Sequence, residues 1–187
     1  MCEITAIATS CNANLFVVGA PCRLCGSLRT SIHMVQCAHA GKPTWAQNDA
    51  MLEAYLDNVE YHYRVNDDTR FQTPNWTELF VHQLSLFDPP NVGVVGPSHS
   101  GGNSGILTYD FVHRTHIDVL GYYYPRAFTD WWGDTWITRV YQPGRLKKLD
   151  DVRIAHTMGI GQRYGVHYKA RERLDEMVLV GQETISR

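Results

Sequence analysis

The sequence lacks a surplus of either charge, and it lacks any long apolar run. Seventeen basic residues stand against nineteen acidic ones, which gives a formal net charge of -2. A chain so close to neutrality has no overall field that attracts polyanions, so we expect no nucleic-acid partner. No stretch approaches the roughly 20 apolar residues of a membrane-spanning helix. The opening MCEITAIATSC also lacks the basic start and apolar stretch of a signal peptide. These absences predict no membrane span and a cytoplasmic location by default, and they leave the oligomeric state open.

Cysteine is absent after residue 37. The five cysteines are Cys2, Cys11, Cys22, Cys25 and Cys37. An odd number in a chain of this size does not describe a disulfide framework, so reduced thiols are expected. Two alternatives stay open: a zinc site built from CRLC with Cys37 and His39, and a redox Cys-x-x-Cys pair. The single-residue spacing of the second pair and the lack of a strand-to-helix context argue against them.

The length and the hydrophobic pattern predict one α/β domain over residues 1–187. Residues 1–40 contain one or two poorly specified strands, and residues 41–187 contain the motifs. Helical spacing covers PTWAQNDAMLEAYLDN, and alternation in VEYHYRVNDD predicts a strand. NWTELFVHQLSLF predicts a helix with Asn75 and Glu78 as a capping box, and PPNVGVVGP predicts a further strand. A helix is also predicted near Val112. WGDTWITRVY predicts a helix with Asp134 at its beginning, DVRIAHT a short strand, and KARERLDEMVLVGQETISR a terminal amphipathic helix. Because helices and strands alternate, we expect a mostly parallel sheet flanked by helices, with ligands at the carboxyl ends of its strands.

The strand at Tyr61 runs into three side chains with oxygen atoms, Asn66, Asp67 and Asp68. Adjacent carboxylates raise one another's pKa unless a cation neutralises them. Mg²⁺ and Mn²⁺ take oxygen ligands and bridge to phosphate groups, so this cluster favours a divalent metal. A solvated turn with no metal remains the alternative interpretation.

Four elements in one order resemble the GT-A glycosyltransferases, which transfer sugars from nucleoside diphosphates and carry an Asp-x-Asp motif. These elements are NDDT, a glycine-rich loop, WWGDTW and an isolated histidine after a strand, and the resemblance covers roughly residues 41–168. It implies a GT-A-like, Rossmann-related sheet with a divergent or shortened amino-terminal portion. It further implies a Mn²⁺ or Mg²⁺ cofactor held by Asp68 and His156. The resemblance places the donor at Asn66, Asp67 and the loop residues Gly101, Gly102 and Asn103.

The resemblance also implies a catalytic base. Asp134 in WWGDTWI matches the acid of the family's x-Glu-Asp motif, although Gly133 stands where the family has glutamate. Asp130 is the alternative base, and both carboxylates also suit the start of a helix, where they accept free N–H groups. Further candidates are His167 for the metal, Arg163 and Lys169 for the diphosphate, and Trp131, Trp132 and Trp136 either as a stacking platform for an acceptor sugar or as core residues.

The sequence therefore predicts a metal-dependent glycosyltransferase. It would move a sugar from a nucleoside-diphosphate donor to a hydroxyl acceptor with inversion. The alternatives are a non-catalytic protein of this fold that binds carbohydrate or a protein partner, favoured by Asn66 and Gly133, and a zinc module on the cysteines.

Overall fold

The computed structural model describes residues 3–9, 14–18, 29–36, 39–66, 69–100, 105–156 and 165–187. Within the first forty residues three strands are described, where one or two are predicted from the sequence. They are β1 (Glu3–Thr9), β2 (Asn14–Val18) and β3 (Arg29–Val35). Strand β1 lies between the other two, antiparallel to β2 and parallel to β3.

A second sheet has five strands in the order β4-β7-β6-β8-β5. Its strands are β4 (Tyr61–Tyr63), β5 (Thr69–Phe71), β6 (Val94–Ser100), β7 (Phe111–His113) and β8 (Leu146–His156). Of the described pairings in this sheet, β6 with β8 is parallel and the other three are antiparallel. The predicted mostly parallel sheet is therefore wrong, and the sheet is mixed. One reason is that β7 follows β6 after residues 101–110, which is shorter than the crossover of roughly a dozen residues that a parallel neighbour needs.

Four of the predicted helices are confirmed. They are α1 (Pro43–Leu56), α2 (Trp76–Ser85), α4 (Gly133–Val140) and α5 (Leu174–Ile185). Near Val112, where a further helix is predicted, the chain instead forms strand β7, and the short helix α3 (Thr115–Leu120) follows it. The structure also has a 3₁₀ helix (Tyr168–Arg173). The predicted capping box of α2 is wrong. Asn75 does precede the helix, but it adopts the left-handed conformation, with φ 56 and ψ 25, and its side chain makes no capping hydrogen bond. None of the described helices is long and apolar enough to cross a membrane.

Both faces of the five-stranded sheet are covered. Neighbouring residues of one strand point to opposite faces, so Val95 and Phe111 pack beneath α2, while Val94 and Val112 pack against the other helices. Helices α1, α3, α4 and α5 all contribute buried residues to this second core. The α/β architecture predicted from the sequence, a sheet flanked by helices, is confirmed at this level.

Two buried histidines, His62 and His116, lie close together on the face of the sheet that α1, α3, α4 and α5 cover. Their environments differ. In His116, Nε2 is 2.8 Å from the Tyr123 carbonyl and Nδ1 is 2.8 Å from the Tyr141 hydroxyl. Since a carbonyl only accepts, Nε2 donates and Nδ1 accepts from Tyr141. His62 is 0 % exposed, and neither ring nitrogen has a hydrogen-bond partner among the described residues. Burial lowers the pKa of His116 to about 4 and that of His62 to about 3.

These pKa values predict a loss of stability in acid. Between the folded values and the ordinary value of 6.5, the unfolded chain binds two protons that the folded histidines do not. Stability therefore falls as the pH drops from about 6.5 towards 4. Asp110 acts in the opposite direction, because burial raises its pKa from 3.8 to about 6, but it is one group against two.

We expect His62→Phe to raise the free energy of unfolding at pH 7 by about 1 to 2 kcal/mol, because it removes buried polar atoms that have no partner. The substitution should also reduce the loss of stability between pH 7 and pH 5. His116→Phe is the matched change, and it should lower stability by about 1 to 3 kcal/mol because it strands the Tyr123 carbonyl and the Tyr141 hydroxyl. Urea unfolding at pH 7 and pH 5 measures both. A destabilised His62→Phe protein would show that the His62 ring nitrogens are satisfied.

Candidate functional site

Several of the predicted motifs lie together at one end of the strands of the five-stranded sheet. Strands β4, β6 and β8 run in the same direction and have their carboxyl ends there, and the antiparallel β5 and β7 begin there. The NDDT motif and the isolated histidine meet there: the Cα partner of His156 is Thr69, which directly follows Asp68 in sequence. Ser100, which directly precedes the glycine-rich loop, pairs with Ala155.

A cleft of about 410 Å³ opens beside the ends of β4 and β7. Its walls come from four parts of the chain: the residues after β4, those before β7, the first turn of α1, and the segment that leads into α4. The lining residues are Arg64, Asn66, Ile106, Thr108, Thr44, Gln47, Asp130, Trp131, Trp132, Gly133, Asp134 and Thr135. Two of the predicted site residues, Asn66 and Asp134, therefore line the same cleft.

Asp134 has an oxygen available to a ligand. It is half-buried in the first turn of α4, and its Oδ1 accepts hydrogen bonds from the Thr135 backbone N–H at 2.7 Å and from the Thr135 hydroxyl at 3.4 Å. No described residue donates a hydrogen bond to Oδ2. The backbone of this turn is fixed, because the Thr138 hydroxyl donates to the Asp134 carbonyl at 2.7 Å.

Asp130, the alternative base, has both carboxylate oxygens engaged. Oδ1 accepts from the backbone N–H of Trp131 at 2.7 Å and from that of His167 at 3.0 Å. Oδ2 accepts from the Thr129 hydroxyl at 2.6 Å. Thr44 also donates its hydroxyl to the Asp130 carbonyl at 2.6 Å, which ties the start of α1 to this turn. The geometry makes Asp130 a structural residue and leaves Asp134 as the candidate base.

Gly133 has a packing reason for its small size. A Cβ on Gly133 would lie 3.2 Å from Cγ of Tyr124 and 3.3 Å from Cδ1 and Cδ2 of the same ring. The Tyr124 side chain is buried, so it has little room to move away. The glycine at position 133 therefore follows from a local contact between the ring and the helix backbone.

The three tryptophans near α4 divide into two groups. Trp136 is 0 % exposed and donates its indole N–H to the Met177 carbonyl at 3.0 Å, so it belongs to the core. Trp131 is 46 % exposed and lines the cleft together with the half-buried Trp132. Trp132 precedes α4 with a positive φ of 81°, a conformation that is costly for a bulky residue and is often found at functional sites.

Two residues of the cleft region were missed from the sequence. Arg64 lines the cleft and donates from Nη1 to the Thr108 carbonyl, and its backbone N–H donates to the Asp110 carbonyl at 3.0 Å. Asp110 is 0 % exposed and accepts from the hydroxyls of Tyr123 at 2.5 Å and Tyr124 at 2.6 Å. A signal was present, because Asp110 is a lone carboxylate within the apolar run of ILTYDFV, where a charged residue needs a partner.

Burial raises the pKa of Asp110 to about 6, while the Arg64 charge and the two tyrosine hydroxyls favour its ionised form. Burial also raises the pKa of both tyrosines well above the ordinary value, so each remains an O–H donor. The cluster is therefore a buried carboxylate with two neutral donors and one nearby cation, Arg64, which lines the cleft.

Several predicted residues lie outside the described residues. They are Asp67, Asp68, Gly101, Gly102, Asn103, Arg163 and the five cysteines, and for His156 only the backbone is described. Among the residues that are described, no group of three or more His, Cys, Asp or Glu side chains is placed to hold a metal. His167 and Lys169 are exposed, and neither lines the cleft.

Comparison with protein-family models, with curated proteins and with solved structures returned no match to this chain. The case for a function therefore depends on the cleft and on the sequence motifs around it.

Asparagine substitutions distinguish the two carboxylates. We expect Asp130→Asn to lower the free energy of unfolding by about 1 to 3 kcal/mol, because an amide N–H₂ replaces one of two oxygens that both accept hydrogen bonds. Asp134→Asn should cost less than about 1 kcal/mol, the size of a charge interaction at a helix start. Urea denaturation followed by circular dichroism measures both. Equal losses would mean that Asp134 is also a structural residue.

Proposed function

We propose that the chain is a metal-dependent glycosyltransferase of GT-A type that transfers a sugar from a nucleoside-diphosphate donor to a hydroxyl acceptor with inversion. The observation that carries the proposal is that Asn66 and Asp134, which belong to separate sequence motifs, line the same cleft. The reaction requires a donor site next to a general base, and the shared cleft of Asn66 and Asp134 supports that arrangement.

The donor side of the proposal depends on Asp68 and His156 as ligands of Mn²⁺ or Mg²⁺. The pairing of His156 with Thr69 supports it, because the neighbour of Thr69 in sequence is Asp68. A carboxylate and a neutral imidazole together suit Mn²⁺ better than Mg²⁺. Such a cation supplies positive charge that stabilises the departing diphosphate. Asn66, Asp67 and the loop residues Gly101, Gly102 and Asn103 would order the donor.

The acceptor side depends on Asp134 as the general base. Its Oδ2, which accepts no hydrogen bond from a described residue, would take the proton of the acceptor hydroxyl as that oxygen bonds to the anomeric carbon of the donor. The bond from that carbon to the diphosphate breaks in the same step, and the nucleoside diphosphate leaves with its electron pair. Trp131 offers an exposed ring beside this carboxylate, and sugars pack their C–H faces against such rings.

Calorimetric titration of UDP and of GDP tests the donor site. In the presence of Mn²⁺ we expect one of the two nucleotides to bind, and we expect chelator to abolish the binding. Asp68→Ala should weaken it by about tenfold or more, or roughly 1.4 kcal/mol, because a metal ligand is lost. Glu172→Ala, which removes an exposed carboxylate from the 3₁₀ helix, should bind as the unaltered protein does.

Absence of nucleotide binding in every condition would contradict the transferase. In that case the non-catalytic alternative becomes the better account of the chain. Binding that persists with chelator and in Asp68→Ala would instead contradict the metal-dependent donor site.

Asp134→Asn separates binding from chemistry. The amide cannot accept the acceptor's proton, so we expect sugar transfer or slow donor hydrolysis to fall by about a hundredfold or more, in the range that general bases contribute. Nucleotide affinity should stay within about twofold, since Asp134 is not proposed to touch the donor phosphates. Release of UDP or GDP from a panel of nucleotide sugars measures the rate. Full activity in Asp134→Asn would remove this residue from the mechanism.

A further inference from the structure

Helix α4 begins at Gly133, which has no side chain that could pack into the core. A neighbouring side chain packs against the start of the helix instead. The ring of Tyr124 lies directly against Gly133, within 3.2 to 3.3 Å of where a Cβ would be. Asp134 is the next residue along the helix. A displacement of the Tyr124 ring would therefore be transmitted to the backbone that carries the proposed base.

Tyr124 is itself held at both ends. Its hydroxyl donates to Oδ2 of the buried Asp110 at 2.6 Å. Its backbone is bound by the side chain of Asn48 in α1, which accepts from the Tyr124 N–H at 2.7 Å and donates to the Tyr124 carbonyl at 2.9 Å. A hydroxyl that donates to an ionised carboxylate makes one of the stronger hydrogen bonds in proteins. The ring therefore has a fixed position relative to the sheet and to α1.

Tyr123 provides a natural comparison because it binds the other oxygen of the same carboxylate. Its hydroxyl donates to Oδ1 of Asp110 at 2.5 Å, and its side chain is equally buried. It differs from Tyr124 in one respect that matters here, since the atoms nearest to the Cβ position of Gly133 all belong to Tyr124.

We propose that Tyr124 is a positioning residue, which uses its hydrogen bond to Asp110 to hold the first turn of α4, and with it the carboxylate of Asp134, in place at the cleft. The catalytic consequence of this role rests on the proposed function. The contact between Tyr124 and Gly133 does not depend on that function. Misplacing a catalytic group by about 1 Å costs up to about a hundredfold in rate.

The test compares Tyr124→Phe with Tyr123→Phe. Each substitution removes one hydroxyl from Asp110, so both should lower the midpoint of urea unfolding by similar amounts. Only Tyr124→Phe should lower kcat for nucleotide release from UDP-glucose, UDP-galactose or GDP-mannose with Mn²⁺, by about tenfold to a hundredfold and with KM for the donor little changed. Tyr123→Phe should stay within about twofold of the unaltered protein.

A second readout needs no ligand. The Thr135 N–H donates to Asp134 Oδ1 at 2.7 Å and the Trp136 N–H donates to the Trp132 carbonyl at 2.8 Å, so amide hydrogen exchange at these two sites reports the first turn of α4. Exchange there should be faster in Tyr124→Phe and unchanged in Tyr123→Phe. If both variants alter exchange and rate equally, Tyr124 is a core residue and the positioning role is wrong.

The two proposals can fail separately. If the unaltered protein releases no nucleotide from any donor, the transferase is contradicted, and the exchange comparison alone decides whether Tyr124 holds the turn. If the protein is active but Tyr124→Phe matches Tyr123→Phe in rate and in exchange, the transferase stands and the positioning role is overturned.

Discussion

Asp110 is a carboxylate with no exposed surface, and the arrangement of the cleft depends on how it is satisfied. An ionised group in the interior is costly unless donors or opposite charge compensate it. Tyr123 and Tyr124 donate to its two oxygens, and Arg64 contributes a nearby positive charge. These partners come from the end of β4 and from the segment before α4. One buried charge therefore connects the carboxyl end of β4 with the helix that carries Asp134.

At the carboxyl ends of β4, β6 and β8, this mixed sheet brings residues together as a parallel sheet does. Strands β4, β6 and β8 point in one direction although β7 lies between the first two of them. Their carboxyl ends meet because an antiparallel strand inserted between two others leaves the outer two parallel to each other. The argument that ligands lie at the carboxyl ends of strands therefore survives the change in topology.

Packing also explains the glycine at position 133 and the division of the tryptophans. Gly133 lies against a buried ring, so a side chain there meets Tyr124 before it reaches the cleft. Trp136 lies in the core, whereas Trp131 is exposed and lines the cleft, although the two belong to one short aromatic segment. Periodicity along a helix separates these positions, but the helix starts within the segment itself, at Gly133, and sequence patterns define helix starts poorly.

The sequence by itself determined helices α1, α2, α4 and α5, because their apolar spacing and flanking residues are local properties, and it identified Asn66 and Asp134 as residues of interest. It also predicted where β4, β6 and β8 lie along the chain. Only the tertiary structure decided the order and direction of the strands, the roles of Asp130 and Asp134, and the place of Arg64 and Asp110. Strand order depends on which distant segments share a core, and a carboxylate becomes structural or available according to donors far away in the chain. Such long-range contacts leave no period in the sequence.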